Sequence, residues 1–141
     1  MNIVIRDGMG NMDFAQITAM LSGARWCPGI GQDKVRQAAE NSALVVGAFA
    51  ESEQVGYARV ISDKTRFAYL SDVFMREDFR GRGVATMMLH HILAHESLAD
   101  VVQWYLKTFD AHPLYEKAGF HVIDNPGNWM GLVKELQGPM R

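Results

Sequence analysis

The sequence contains a single cysteine, Cys27, so the chain cannot form an internal disulfide, as is typical of proteins from a reducing compartment. It has no run of about 18 apolar residues and no signal-like start, which argues against a membrane-spanning helix and predicts a cytoplasmic protein. Positive charge is not in excess, since 14 lysines and arginines stand against 16 aspartates and glutamates. This balance predicts neither a nucleic-acid partner nor an anionic membrane partner.

Internal repeats, low-complexity tracts and a Gly- or Pro-rich linker are also missing. A chain of 141 residues is long enough to bury a core without disulfides or metals. We therefore expect one domain, residues 1–141.

Apolar residues alternate with period 2 in some segments and recur with period 3.6 in others. A strand is expected over residues 2–6, and a helix follows with Asp13 as its N-cap. The next expected elements are a helix at 32–41, a hairpin of strands at 43–50 and 54–62, and a strand at 66–75. Further along come a helix to about residue 96, a strand at 101–108, a helix at 111–119 and a last strand at 128–136. The order β-α-α-β-β-β-α-β-α-β predicts an α+β (mixed α/β) domain.

The stretch "RGRGVA", residues 80–85, lies between the strand expected at 66–75 and the helix that follows it. Bare glycines at a helix N-terminus let an anion approach unpaired N–H groups at the positive end of the helix dipole. The stretch is neither a Walker motif nor a complete dinucleotide fingerprint. Taken alone it is equally consistent with a tight strand-to-helix turn.

A second motif, "TFDAHPLYEKAGF" at residues 108–120, makes the pattern more specific. Together the two motifs resemble the GCN5-related N-acetyltransferase (GNAT) superfamily, and a bacterial branch of it that reads Thr-x-Asp-Ala-His. The matching positions are Arg80, Gly83, Ala85, Leu114, Tyr115, Gly119 and Phe120. Many members have Asn where this chain has Thr108.

The resemblance implies a splayed sheet whose fourth and fifth strands part, with acetyl-CoA bound as cosubstrate in the wedge. The free edge of the fourth strand near Val73 and Met75, together with Thr108, would hold the pantetheine arm. The pyrophosphate would lie on the turn formed by Arg80, Gly81, Arg82, Gly83, Val84 and Ala85. Tyr115 occupies the position that donates a proton to the departing thiolate, although a tyrosine packed on the sheet is the alternative.

Each candidate residue on the acceptor side has two possible roles. Asp72 is either the general base or a buried structural carboxylate. Tyr69, on the same strand, is a candidate to bind the acceptor, and strand alternation places Asp72 on the face opposite Tyr69 unless the strand is bulged. Arg59 and Asp63 either line the acceptor pocket or belong to a salt-bridged sheet face. Trp26 forms an aromatic lid or plugs the core.

Two further candidates come from the second motif. Asp110 either contacts the substrate or caps the short helix, and His112 either orients the substrate or faces solvent. His91 and His95 have the i, i+4 spacing of metal ligands, but no third ligand is evident in the sequence, so we predict no metal site.

The sequence thus predicts an N-acetyltransferase that moves acetyl from acetyl-CoA to a primary amine by direct attack in a ternary complex. The alternatives are a non-catalytic acyl-CoA-binding regulatory module and a transferase of a longer acyl group. Asp63, Asp72 and Asp110 favour a cationic acceptor. The sequence leaves open which amine is used and whether the chain is a monomer or a homodimer.

Overall fold

The computed structural model describes residues 2–134, and in this range five strands form one sheet in the order β1-β2-β3-β4-β5. The strands are β1 Ile3–Asp7, β2 Leu44–Ala50, β3 Glu53–Ser62, β4 Phe67–Met75 and β5 Gln103–Leu106. Neighbouring strands are antiparallel from β1 to β4, whereas β4 and β5 are parallel. The helices are α1 Phe14–Leu21, α2 Gln32–Glu40, α3 Val84–Leu93 and α4 His112–Glu116. The predicted α+β class is confirmed.

Helices cover both faces of the sheet. On one face, Phe14 and Ile17 of α1 and Val35 of α2 pack with Val45 and Tyr57 of the sheet. On the other face, α3 and α4 pack against a separate cluster of sheet residues. β2 lies between the two layers, and for this reason all seven of its residues are buried. None of the helices in the described part of the chain is long and apolar enough to cross a bilayer.

Local sequence signals explain how the first helix begins. The side chain of Asp13 accepts a hydrogen bond from the Gln16 N–H at 3.1 Å, which confirms Asp13 as the N-cap of α1. The backbone N–H of Asp13 in turn donates to the amide oxygen of Gln54, which is fully buried in β3. The start of α1 is therefore fixed directly to the sheet.

The two histidines at metal-ligand spacing join α3 to the sheet edge. His91 Nε2 lies 2.6 Å from Oδ2 of Asp7 at the end of β1, and His95 Nε2 lies 3.4 Å from the same oxygen. α3 ends at Leu93, three residues earlier than predicted, and a short 3-10 turn, Glu96–Leu98, follows it. In this structure the two histidines tie α3 to β1.

The predicted last strand is wrong over its described part. Residues 129–134 form no strand, and residues 135–136 of the predicted strand lie outside the described range. Met130, Leu132 and Val133 are 96%, 86% and 89% exposed, so the apolar pattern here does not reflect burial in this domain. A strand needs a hydrogen-bonded neighbour, and among the described residues this segment has none.

Candidate active site

β4 and β5 lie side by side for only part of their length. Their pairing runs from Phe67 with Gln103 to Leu70 with Leu106, whereas β4 continues to Met75. Beyond Leu70, β4 has β3 on one side and no described strand on the other. The strands therefore part, as the resemblance implied, and Val73 and Met75 lie on the stretch of β4 whose outer backbone edge is unpaired.

The turn before α3 presents backbone amides to open space. Gly81 and Gly83 have φ of 74° and 77°, in the left-handed region that glycine adopts freely. An added Cβ at either position would meet no atom within 4 Å. Val84 and Ala85 bury their side chains in the core, so only their backbone faces the turn. No described residue accepts a hydrogen bond from the N–H groups of residues 81–86, which makes this helix start a suitable anion site.

Two arginines flank this turn without a salt bridge to any described carboxylate. The guanidinium of Arg80 lies 5.3 Å from the centre of the Phe74 ring, and its Nε donates to the Met75 carbonyl at 3.4 Å. The guanidinium of Arg82 lies 5.1 Å from the centre of the Phe79 ring. Both side chains are exposed and positively charged beside the unpaired amides. Their charge is available to an anion bound at the turn.

Tyr115 lies in α4 with 8% of its surface exposed, in the hydrophobic cluster that also contains α3. Its ring makes an edge-to-face contact with Phe120 at 6.1 Å. Burial removes water from the hydroxyl and raises the pKa of Tyr115 to about 12. The phenol therefore stays protonated, and able to donate, throughout the physiological pH range.

The start of α4 differs from the prediction. Ala111, not Asp110, is the N-cap residue, and its N–H donates to the Thr108 hydroxyl at 3.0 Å. The helix begins at His112, one residue too late for Asp110 to be its cap. Thr108, at a position where many members of the family have Asn, thus has a structural partner while lying at the end of β5 beside the wedge.

A β-bulge places Asp72 on the acceptor side of the sheet. From the pair Tyr57–Phe74 to the pair Arg59–Ser71, β3 advances two residues and β4 advances three. The additional residue shifts the alternation, and Asp72 itself has a φ of 55°, a value that Asp tolerates better than most residues. Ser71 and Asp72 consequently line the same cavity. Tyr69 lies two residues before Ser71 and so shares its face of the strand. The bulge brings Asp72 to that face as well.

Asp72 joins three separate segments of the chain. Its Oδ1 accepts from Trp26 Nε1 at 2.8 Å, and its Oδ2 accepts from Arg59 Nε at 2.7 Å. The side chains of Arg59 and Asp72 are 17% and 13% exposed, so this ion pair is shielded from bulk water. Arg59 also donates to the Ser42 hydroxyl at 3.3 Å. Trp26, Arg59 and Asp72, predicted separately, thus form one hydrogen-bonded group.

This group forms part of the wall of a cavity of about 550 Å³ between the α1–α2 loop, α2 and the bulge of β4. Trp26 is 51% exposed at its edge, as expected of a rim residue rather than a core plug. Cys27, Ile30 and Val35 add apolar surface, and Lys34 adds a charge. The cavity adjoins the segment of β4 that has already left β5, so it opens beside the wedge.

The remaining predicted acceptor residues, Tyr69, Asp110 and His112, lie outside this cavity. Asp110 is exposed, with Oδ2 3.8 Å from a guanidinium nitrogen of Arg25, and His112 is exposed on the first turn of α4. Phe109 stacks under the Arg25 guanidinium at 4.4 Å. The loop after β5 therefore touches the α1–α2 loop next to Trp26, while neither Asp110 nor His112 lines the cavity itself.

Asp63 was expected near the acceptor, and that expectation is wrong. It lies in the turn between β3 and β4, at the end of β4 opposite the wedge. Its Oδ1 accepts from the N–H groups of Thr65, Arg66 and Phe67, and these hydrogen bonds lower the pKa of Asp63. Asp63 therefore shapes the turn.

Two residues of the site escaped the sequence reasoning. Phe74 makes an edge-to-face contact with Trp26 at 6.2 Å and lies under the Arg80 guanidinium, so it connects the cavity to the glycine turn. Its position between Val73 and Met75 on a strand was a usable signal. Lys34 lines the cavity from α2, but a lysine on a polar helix carries no such signal in the sequence.

Comparison with known proteins agrees with this geometry. A family described as an acetyltransferase (GNAT) domain matches residues 41–122. An uncharacterised N-acetyltransferase of Pyropia yezoensis is 30% identical over 104 residues. The match covers 70% of this chain and 59% of that relative, so the chain spans less than two thirds of the relative's length. The chain belongs to the GNAT acetyltransferase family, a class of acyltransferase enzymes.

Solved structures give the same assignment. A protein assigned to the GNAT family from Xanthomonas campestris pv. campestris superposes with a TM-score of 0.85 at 31% identity, covering 99% of this chain and 95% of its own. A GNAT family protein from Streptococcus pneumoniae superposes with a TM-score of 0.74 at 15% identity, covering 97% and 100% of the two chains. The second likeness concerns the fold alone.

Proposed function

We propose that this chain transfers acetyl from acetyl-CoA to a primary amine by direct attack in a ternary complex. The observation that carries the proposal is the parting of β4 and β5 directly beside a turn with unpaired amides. An extended arm can add along the free edge of β4 while a phosphate group lies on the helix start. A long molecule with a diphosphate at one end and an acyl group at the other fits this arrangement.

The cofactor contacts follow from this placement. The pyrophosphate accepts from the amides of residues 81–86 and faces the guanidinium groups of Arg80 and Arg82. The pantetheine arm pairs with β4 at Val73 and Met75. The Thr108 hydroxyl still has a proton to donate, since its hydrogen bond with Ala111 uses only a lone pair. The thioester then lies near the bulge, where the acceptor cavity begins.

Tyr115 is our candidate for the general acid. As the amine attacks the thioester carbonyl, the C–S bond breaks and the sulfur leaves as a thiolate that needs a proton. A phenol held protonated by its buried position supplies this proton without losing it to solvent beforehand. No described residue hydrogen-bonds to the Tyr115 hydroxyl, so it is not committed to a structural partner.

Asp72 is our candidate for the general base, acting through water. A carboxylate has about four acceptor positions, and Trp26 and Arg59 occupy two of them. A water bound at a remaining position can take a proton from the acceptor's ammonium group and pass it to the carboxylate or to solvent, which leaves the neutral amine to attack. The ion pair with Arg59 keeps Asp72 in place while this occurs.

The second candidate function is a non-catalytic regulatory module that binds acyl-CoA. The observation in its favour is that Asp72 is the only carboxylate lining the cavity in the described residues, and it is already paired. If the paired group cannot act as a base, binding without transfer is the outcome that remains.

The two functions are separated by measuring thiol release from acetyl-CoA with a panel of primary amines, beside calorimetric binding of CoA. Amine-dependent thiol release, with the acetylated amine found by mass spectrometry, is expected for the enzyme. Tight CoA binding with no product from any amine would favour the binding module. Absence of CoA binding would contradict both. Butyryl-CoA in the same assay tests the longer acyl group.

A further inference from the structure

The acceptor cavity has an unusual balance of charge. Three charged side chains line it: Lys34, Arg59 and Asp72. Asp72 is its sole negative group among the described residues, and both carboxylate oxygens already accept hydrogen bonds, from Trp26 and Arg59. The charge of Asp72 is therefore balanced within the cavity wall. An incoming cation would find no uncompensated negative charge there.

Lys34 is the charged residue of the lining that has no counter-charge among the described residues. It is exposed on α2 at the edge of the cavity, and no described residue forms a salt bridge or hydrogen bond with it. Because Arg59 and Asp72 cancel, Lys34 leaves the lining with a net charge of +1. The other predicted sources of negative charge do not alter this sum, since Asp63 lies in a distant turn and Asp110 is paired with Arg25 outside the lining.

The rest of the cavity limits the size and polarity of its ligand. About 550 Å³ is in the range of small-molecule sites. Trp26, Ile30 and Val35 supply an apolar wall, while Ser71 lies next to Asp72 on β4. This suits a compact molecule with an apolar part, whose amine lies towards the bulge and whose other polar group lies towards α2.

We infer that the acceptor is a small amine that also carries an anionic group, a carboxylate or a phosphate, and that Lys34 binds this group. The inference rests on the proposed function, and it replaces the expectation of a cationic acceptor. Lys34 acts as a specificity-determining residue: it attracts the anion to the edge of the cavity and so directs the amine towards the wedge.

The test compares two pairs of amines that differ in this one group. L-Leucine is compared with L-leucinamide, and O-phosphoethanolamine with ethanolamine, by kcat/KM for acetyl transfer. The amines within a pair differ in basicity, so the ratio within a pair is compared between the wild-type protein and Lys34→Gln. The intrinsic reactivity of each amine cancels in that double ratio.

Arg36→Gln is the matched control. It removes the same charge from the same helix, but Arg36 stacks on Phe14 at 4.8 Å and does not line the cavity. We expect Lys34→Gln to lower the preference for the anionic member of at least one pair about tenfold, and Arg36→Gln to change it less than twofold. The pair that responds identifies the anion as carboxylate or phosphate. Equal effects of the two substitutions would overturn the inference, as would a wild-type protein with no preference in either pair.

Calorimetric binding of the same four amines in the presence of CoA keeps this test separate from catalysis. A preference for the anionic amine that depends on Lys34, in a protein that forms no product, would leave the inference standing and contradict the proposed transfer. Product formation with no dependence on Lys34 in either measurement would support the proposed transfer and overturn the inference about Lys34.

Discussion

The proposed cofactor side of this domain consists mainly of backbone groups, whereas the proposed acceptor side consists of side chains. The turn at residues 81–86 offers backbone amides: its glycines have no side chains, and Val84 and Ala85 bury theirs in the core. The acceptor cavity is built from side chains, and its centre is Asp72, joined to Trp26 46 residues away and to Arg59 13 residues away. Backbone sites depend on local conformation, whereas side-chain sites depend on the whole fold. The first kind can therefore stay constant while the second varies.

The largest expected effect concerns Tyr115, the candidate general acid. Tyr115→Phe keeps the ring and its contact with Phe120 but removes the hydroxyl. General acid catalysis contributes about 10² to 10⁴ in rate, so we expect kcat to fall by that factor while the Kd of acetyl-CoA stays unchanged. Steady-state kinetics beside calorimetry measure both quantities. A wild-type kcat, with chemistry rate-limiting, would show that Tyr115 only packs in the core.

The next effect concerns the stability of the acceptor side. Asp72→Asn keeps the shape of the side chain but leaves the shielded Arg59 guanidinium without its counter-charge. We expect the free energy of unfolding to fall by about 2 kcal/mol, within the range for hydrogen bonds to charged groups. Urea unfolding measures this change, and CoA affinity should stay within twofold of wild type.

Asp110→Asn is the control for that substitution. It removes a carboxylate from an exposed pair 3.8 Å apart, and such pairs contribute little. If both substitutions destabilised the protein equally, the Arg59–Asp72 pair would not have the structural role assigned to it.

A smaller effect is expected on the cofactor side. Gly83→Val forces a β-branched residue to a φ of 77° and places a side chain in the space over the amides. We expect CoA affinity to fall at least tenfold, about 1.4 kcal/mol. Gly8→Val is matched to it, because Gly8 has a φ of 91° and equally open surroundings, but lies far along the chain from the turn. Similar CoA affinities in the two folded variants would contradict the phosphate site.

Sequence patterns predicted most of the fold because each element has a local cause. Asp13 begins α1 through its own side chain, and two glycines permit the turn before α3. The failures have causes outside the local pattern. The segment after Asn128 alternates like a strand, but pairing needs a neighbour that the sequence does not identify. Asp110 is a good N-cap residue, yet the helix begins at His112 and Ala111 takes the cap position.

The acceptor side was less predictable for a related reason. Trp26, Arg59 and Asp72 were each identified, but their hydrogen bonds depend on an extra residue in β4 that alters the alternation of the strand. A bulge with Asp at positive φ has no strong signature, since glycine is the usual residue there. The pairing matters, because the expectation of a cationic acceptor rested on Asp63, Asp72 and Asp110, and Asp72 is paired with Arg59.

The last prediction concerns how the contribution of the Tyr115 hydroxyl to kcat depends on pH. It distinguishes a buried phenol with a raised pKa from a phenol with an ordinary pKa. A phenol with an ordinary pKa of about 10 would be roughly three-quarters ionised at pH 10.5, and its contribution as a proton donor would fall about fourfold. Burial raises the pKa of Tyr115 to about 12, so the donor stays protonated across this range and is lost only as the pH rises through that value. The ratio of kcat for wild type to that for Tyr115→Phe should therefore be constant from pH 7 to about 10.5. Using the ratio removes the ionisation of the amine, which is common to both proteins. A fourfold fall in the ratio by pH 10.5 would mean that solvent reaches the hydroxyl before the thiolate forms, and that the burial of Tyr115 does not serve proton donation.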